Sequence, residues 1–400
     1  MLLAWPPLFR KHIFDPDRRV RAAVANVNSA LVVKIGKRLA THLKQLAGPW
    51  VASYFDPHKE VARTSRSAFE RVFPESKRAE VYAYCVGELI DFASDNILNQ
   101  TPETLSDPRF VDPEDMRSKY EHVIGVSFGT LGLVVEEIDA DKLLEHKTQF
   151  DEVLGSKAAL KFLASQSSLI RRGVYRLIRN VMLHCPALAR DTNEILAQAL
   201  LSNCFGDGDP NAHGDMWDAV LLTTKNYQQV WLSDSSSDSK KKQKKPIERL
   251  LEFLRTRCRL APTISYPSIL ALLANLPAAV LDAPTFQSDF DNALWQSAST
   301  SAGAAELAAV GSSSSRANHL ENVALVSAIC ECFSFLWTRS LKNASSSDNV
   351  SISSTRDFVA KEISRETDRL WHFYLSNPES AEEMAQPVVK LYCKIENLSA

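Results

Sequence analysis

Glycine is scarce in this chain, 13 residues of 400. A fold built on many tight hairpins draws on glycine at its turns, so the shortage speaks against a sandwich or barrel and for helices. Paired cysteines are missing too. Cys85, Cys185, Cys204, Cys258, Cys330, Cys332 and Cys393 are scattered, odd in number, and form no Cys-x-x-Cys. They read as reduced thiols of an intracellular protein, mostly buried as small apolar residues. Met1–Trp5 is too short for a signal peptide, with Arg10 and Lys11 close behind. The long uncharged stretch, residues 260–281, is interrupted by Pro262, Pro267 and Pro277. A membrane-spanning helix needs ~20 apolar residues in one run. The stretch is expected to be one buried helix with Pro267 at its start and Pro277 after its end.

Catalytic signatures are also lacking. There is no P-loop, no Gly-x-Gly-x-x-Gly, no Gly-x-Ser-x-Gly and no His-Glu-x-x-His. The nine histidines are dispersed. His184-Cys185 and Cys330-x-Cys332 have no partner pairs at zinc spacing. Asp207, Asp209 and Asn211 imitate the start of a calcium loop, but Ala212 stands where glycine is needed and Asp218 where a bidentate Glu is needed. That segment reads as an inter-repeat turn. No catalytic residue, metal or cofactor is therefore expected in this chain.

What is present is a globular composition with an uneven charge. Apolar residues are 45% and charged residues 24%, which excludes a mostly disordered chain. The formal net charge is −2, yet residues 1–50 hold nine Lys or Arg against Asp15 and Asp17, a local +7 that leaves −9 for the rest. A basic end on an acidic body suits a polyanionic partner, and it equally suits a solvated basic face.

A repeat underlies the pattern. Asp15-Pro16-x-x-x-Val20-Arg21 recurs as Asp56-Pro57-x-x-x-Val61-Ala62-Arg63, an offset of 41 residues, close to the ~40–47 of HEAT and armadillo units. Aspartate caps a helix and proline suits its first position. Val20, Val24, Val27 and Leu31 then predict one buried face, with Arg18, Arg19 and Arg21 off it. A second helix carrying Leu39, Leu43 and Leu46 is expected to end at a Gly48-Pro49 break. Val61, Ala68 and Val72 repeat the stripe before Pro74, as do Ile170, Val174, Leu177 and Val181 before Pro186. Arg171 follows Ile170 as Arg21 follows Val20. Asp209-Pro210 opens a looser copy packed by Trp217 and Val220, and Tyr266-Pro267 opens another.

The reading is an all-α, HEAT/armadillo-like solenoid of stacked helix pairs with disordered loop insertions. HEAT-like repeats are expected over 1–232 and 247–400, separated by a Ser/Lys-rich loop at 233–246. Low-complexity insertions are expected at 297–316 and 343–354. The run Lys240–Lys245 reads first as a solvated linker and otherwise as a nuclear-import or nucleic-acid element. It lacks the aromatics of a stacking platform.

Particular strings go beyond a generic repeat. They are Trp5-Pro6-x-Leu8-Phe9 leading into Asp15–Arg21, Leu43–Trp50, Ala68-Phe69-x-x-x-Phe73-Pro74, Thr101–Pro108, and Tyr266–Leu270 closed by Leu276-Pro277. In this order they resemble the N-terminal region of the listerin family of RING-type ubiquitin ligases, most strongly over residues 5–110. The resemblance implies a ribosome-binding module of a longer ligase that marks nascent chains stalled on the large ribosomal subunit. It implies docking near the sarcin-ricin loop, on ribosomal RNA and protein. It also implies contact with a partner of the nuclear export mediator factor type. The zinc-binding RING, which would recruit the ubiquitin-conjugating enzyme, has no counterpart in these cysteines and histidines. The chain is accordingly expected to be a fragment at both ends. A cytosolic, ribosome-associated monomer without membrane contact follows, and the lysine run leaves room for a minor nuclear pool. Arg18, Arg19, Arg21, Lys34, Lys37 and Arg38 are the expected phosphate contacts. The alternative is a HEAT adaptor of another class, such as a nuclear transport receptor.

Overall fold

The structure, a computed structural model, describes residues 3–232, 244–299, 315–345 and 349–399. It is all-α, with no strand among the described residues. Two compact units are formed, Met1–Cys204 with Asp218–Tyr227, and Phe205–Trp217 with Gln228–Ala400.

The first unit contains α1 (Trp5–His12), α2 (Arg18–Ile35), α3 (Leu43–Ala52), α4 (Lys59–Val72), α5 (Glu75–Tyr84), α6 (Val86–Asn99), α7 (Pro102–Leu105), α8 (Pro113–Glu137), α9 (Ala140–Glu145), α10 (Lys147–Leu154), α11 (Lys157–Leu160), α12 (Ser168–His184) and α13 (Asn193–Asn203). A further helix, α14 (His213–Asn226), contributes its last residues here and its first to the second unit. Helices pack on near neighbours in sequence, as repeats do: α2 on α4, α3 on α6, α6 on α8, and α8 on α12. The core of the early layers is aromatic. Phe69 sits between Trp50, Tyr54, Phe73 and Tyr82 at centroid distances of 4.7–6.0 Å.

The longest described helix of this unit, α8, begins where Asp112 accepts from the Glu114 amide and Pro113 takes the first position. Its close approach to α12 depends on glycine. A Cβ on Gly173 would lie 2.9 Å from the Gly125 carbonyl oxygen, and one on Gly125 would lie 2.7 Å from Leu169 Cγ. Asn180 Nδ2 then donates to the Gly132 carbonyl at 2.9 Å, tying the two helices.

The second unit contains α15 (Pro246–Thr256), α16 (Pro262–Asn275), α17 (Ala278–Leu281), α18 (Phe286–Ser299), α19 (Ser315–Ser345), α20 (Asn349–Ser376) and α21 (Ala381–Ser399). At its centre is α19, packed on α16, α18, α20 and α21. Its stretch Leu320–Ala344 has the length and apolarity of a membrane span, but 61% of its most apolar window is buried inside the protein. Glu321 within it is buried and paired with Arg259, as in a core helix. Between α18 and α20, buried Asp291 and Glu366 are held by Arg365 and Arg369 at 2.6–3.2 Å.

Several sequence expectations need correcting. The buried face of α2 is not Val20, Val24, Val27 and Leu31 but Arg21, Ala25, Asn28, Ser29 and Val32, and Val27 is half exposed. Gly48-Pro49 breaks nothing, since α3 runs through both. The apolar helix at 260–281 starts at Pro262, leaving Pro267 inside it. That proline faces solvent, where water can satisfy the carbonyl its missing N–H leaves free. The segment 343–354, expected as a loop, is helical at 343–345 and 349–354. Residues 346–348, together with 233–243 and 300–314 of the other two expected insertions, lie outside the described residues. The stripe Ile170, Val174, Leu177 and Val181 is buried as expected, and so are Trp217 and Val220.

Candidate interaction surface of the basic N-terminal layers

Asp15 begins the arrangement. Its Oδ1 accepts from the Asp17 amide at 2.9 Å, making a turn that delivers the chain into α2. Arg21, one turn into the helix, folds back: Nη1 donates to the carbonyls of Asp15 at 2.8 Å and Pro16 at 3.0 Å. Its Nε and Nη2 meet the carboxylate of Asp56, the aspartate of the next repeat, at 2.7 and 3.2 Å. The Asp56 turn is built the same way, with Oδ1 accepting from the His58 amide at 2.8 Å, and His122 Nε2 stands 3.3 Å from Oδ2. Burial alone would push the Asp56 carboxyl up. His122 close by and the hydrogen bonds from Arg21 outweigh it and hold the pKa below the ordinary 3.8. Farther along, Arg171 Nη1 donates to Ser165 and Gln166 carbonyls at 2.7 and 3.0 Å, the same closure of the preceding turn.

Arg21 is thus withdrawn from the expected phosphate contacts. It is 6% exposed and links one repeat to the next. The other five are on the surface but do not form one patch. Arg18 and Arg19 sit at the start of α2, and Arg19 Nη2 is 2.6 Å from Asp17 Oδ2. That side-chain hydrogen bond chiefly lowers the Asp17 pKa to about 2. Lys34, Lys37 and Arg38 are exposed around the other end, where Gly36 closes the helix at φ 53°. At 1.5 Å per residue, Arg18 and Lys34 are roughly 24 Å apart along the axis. Beside Lys37 is a cleft of about 580 Å³ lined by Val33, Leu39, Arg71 and Phe73.

A further group of cations was not singled out from the sequence. Arg10, Lys11 and Lys119 line one cleft of about 380 Å³ with Phe14, Phe92, Gln100, Thr104 and Leu105. Arg10 lies over the Phe92 ring, 5.5 Å from its centroid. Lys119 Nζ donates to the Leu105 carbonyl at 2.7 Å, and burial lowers its pKa. The cleft gathers the Trp5–Arg21 and Thr101–Pro108 strings, so the signal was there. Lys119 is too remote in sequence to join them by pattern. After the second string comes Phe110, 82% exposed, with Arg109 stacked 5.4 Å from its centroid.

These surfaces offer charge, hydrogen-bond donors and apolar area. Among the described residues no three His, Cys, Asp or Glu side chains gather as a metal site. Asp207 and Asp209 instead accept from the amides of Asp209 and Asn211, shaping a turn. Of the lysine run, residues 240–243 lie outside the described residues; Lys244 pairs with Glu252 at 2.6 Å.

Residues 1–276, which include every surface described above, match the family model described as E3 ubiquitin-protein ligase listerin, N-terminal domain. The chain belongs to the listerin family. Listerin of Xenopus tropicalis is 30% identical over 332 residues, covering 83% of this chain and 18% of that protein. Mouse listerin is 27% identical over 338 residues, covering 84% and 18%. Listerin of Neurospora crassa is 26% identical over 287 residues, covering 70% and 17%. The chain thus spans less than a fifth of the length of these listerin relatives.

Proposed function

We propose that this chain is the ribosome- and partner-binding N-terminal scaffold of a listerin-type E3 ubiquitin ligase. In this reading it anchors the ligase to stalled large ribosomal subunits, so that nascent chains are ubiquitinated and degraded. The observation that carries it is the match over residues 1–276 to the listerin N-terminal domain. The charge supports it. From Arg18 to Trp50 there is no acidic residue, and Arg18, Lys34, Lys37 and Arg38 are exposed without a carboxylate partner among the described residues. Arg19 keeps four-fifths of its side chain in solvent despite Asp17. These five are the proposed phosphate contacts on ribosomal RNA. Neutralising phosphates releases counterions, which makes such binding fall steeply with salt.

The rest of the reading follows the family. Ubiquitin transfer belongs to a zinc-binding RING outside these 400 residues, which recruits the ubiquitin-conjugating enzyme. A nuclear export mediator factor-type protein is the second partner, and the site of action is the cytosol. The test is co-sedimentation of the purified chain with large ribosomal subunits across a salt series. Replacing Lys34, Lys37 and Arg38 by Glu, and separately Arg18 and Arg19, should weaken binding and lower the salt slope by about one per lost phosphate contact. Failure of the wild-type chain to sediment with large subunits would end the proposal.

A further inference from the structure

We infer that the cleft between α1, α7 and α8 is a phosphodiester site, gripping one backbone phosphate of RNA through Arg10, Lys11 and Lys119. It lies apart from the five contacts proposed above and rests on that reading for its biological partner. Its chemistry is carried by the cleft itself.

Three cations line the cleft, and none has a carboxylate in ion-pair range among the described residues. Lys119 is the most constrained. One hydrogen bond, to the Leu105 carbonyl, fixes its ammonium at 2.7 Å, and an ammonium has three protons to give. The charged groups acting on it are Asp15, which favours its charge, and Lys11, which opposes it. Asp15 is itself occupied, accepting from the Asp17 amide. Arg10 rests on the face of Phe92, which positions the guanidinium and leaves its N–H edge for an acceptor. The neutral polar residues are engaged with their neighbours: Thr104 Oγ1 donates to Gln100 at 2.7 Å, Gln100 to Asp95 at 3.0 Å, and Asn96 to Ser127 at 3.0 Å. What the cleft offers a ligand is therefore cationic. The complementary ligand is an anion with several acceptor oxygens, as a phosphate has.

RNA is favoured over an acidic peptide by the segment that follows the α7 wall. It continues into Phe110, 82% exposed and backed by Arg109. Unpaired nucleotides are held by aromatic faces as well as by phosphate grips, and Phe110 follows Leu105 of the cleft wall by five residues.

The test uses the whole 400-residue chain and a fluorescently labelled RNA hairpin with an unpaired loop, read by anisotropy across a salt series. Arg10→Gln, Lys11→Gln and Lys119→Gln should each cost several-fold, and the triple variant about tenfold or more. Because three cations converge on one phosphate, the triple variant should lower the salt slope by about one. A drop near three would mean three separate surface contacts and overturn the site. Phe110→Ala should cost at least about fivefold. Unchanged RNA affinity in the triple variant overturns the inference, and so does equal, cleft-dependent binding of polyglutamate. If Lys119→Gln unfolds the protein, Lys11→Gln, at an exposed position, still decides. Wild-type chain that sediments with large subunits but binds no RNA would sink this site alone. Cleft-dependent RNA binding without sedimentation would sink the ribosomal reading and leave the site standing.

Discussion

Arg21 and Asp56 stand 35 residues apart in sequence and meet inside the protein, Nε to Oδ2 at 2.7 Å, with side-chain exposures of 8% and 0%. The pair joins two copies of one motif: the arginine closes its own Asp-Pro turn and takes the carboxylate of the next. Arg21→Met keeps the stem's volume and removes the charge. It leaves Asp56 buried with His122 and the His58 amide alone. Breaking a buried pair from one side costs about 3–5 kcal/mol. A loss of about 3 kcal/mol in chemical denaturation is expected, with the surface cations untouched. A loss below about 1 kcal/mol, combined with weaker binding to large subunits, would instead return Arg21 to the list of contacts.

Acid should act through the same carboxylate. Asp56 has its folded pKa held below 3.8, so its contribution is fully present above that value. It is lost as pH falls through the depressed folded value. Asp56→Asn should therefore flatten the acid limb of the stability curve below about pH 4, while costing stability at neutral pH. Parallel acid limbs for wild type and variant would show that the destabilising protonation lies elsewhere.

The same pair explains how far the sequence could be read. A stripe rule assumes apolar residues inside, and it works for Ile170, Val174, Leu177 and Val181 because that face is apolar throughout. On α2 the inside holds Arg21, Asn28 and Ser29, each given a partner: Asp56, the Trp5 indole N–H at 3.0 Å, and Arg71. Once satisfied, such groups can be buried, and the predicted face slips by one position. The Asp-Pro repeat was legible because its turn is local. Pro49 and Pro267 stand inside helices because burial at Pro49 and solvent at Pro267 offset the missing ladder bond that local propensity penalises. Of the basic surface, the charge excess was visible and its division was not. The Arg10, Lys11 and Lys119 cleft requires α8 to fold back beside α1, which no single stretch of sequence announces.

The α8–α12 crossing can be tested by one methyl group. On Gly173 it would lie 2.9 Å from the Gly125 carbonyl and 3.0 Å from Phe128 Cβ, and backbone cannot swing aside as a long side chain can. Overpacking of this kind costs about 1–3 kcal/mol, against a helix-propensity gain of about 1 kcal/mol for alanine. Gly173→Ala should be destabilising by up to roughly 2 kcal/mol. Gly87→Ala is the control: its Cβ would meet only His146 Cε1, at 3.9 Å, so propensity should prevail and stability rise. Equal effects at the two positions would mean the crossing is looser than drawn.

The second unit carries its own dependence on pH. His213 is fully buried: one ring nitrogen, Nε2, donates to the Asp207 carbonyl at 3.2 Å, while Nδ1 accepts from Ser265 Oγ at 3.3 Å. Both nitrogens are thus satisfied in the neutral ring, and Ser265 Oγ in turn accepts from the Trp217 indole at 3.2 Å. Burial lowers the pKa below 6.5, more than the Asp207 carbonyl, Asp207 and Asp209 raise it. A depressed folded value means the unfolded chain takes up the proton first. Stability is therefore present above 6.5, declines as pH falls below it, and levels off below the folded value. The decline has a slope of at most about 1.4 kcal/mol per pH unit for a single site. Imidazole proton shifts should show His213 still neutral below 6.5, and urea midpoints should fall as the pH drops below that value. A His213 resonance that titrates at or above 6.5 would mean the charged ring is accommodated, and the descent in stability would then belong to other groups.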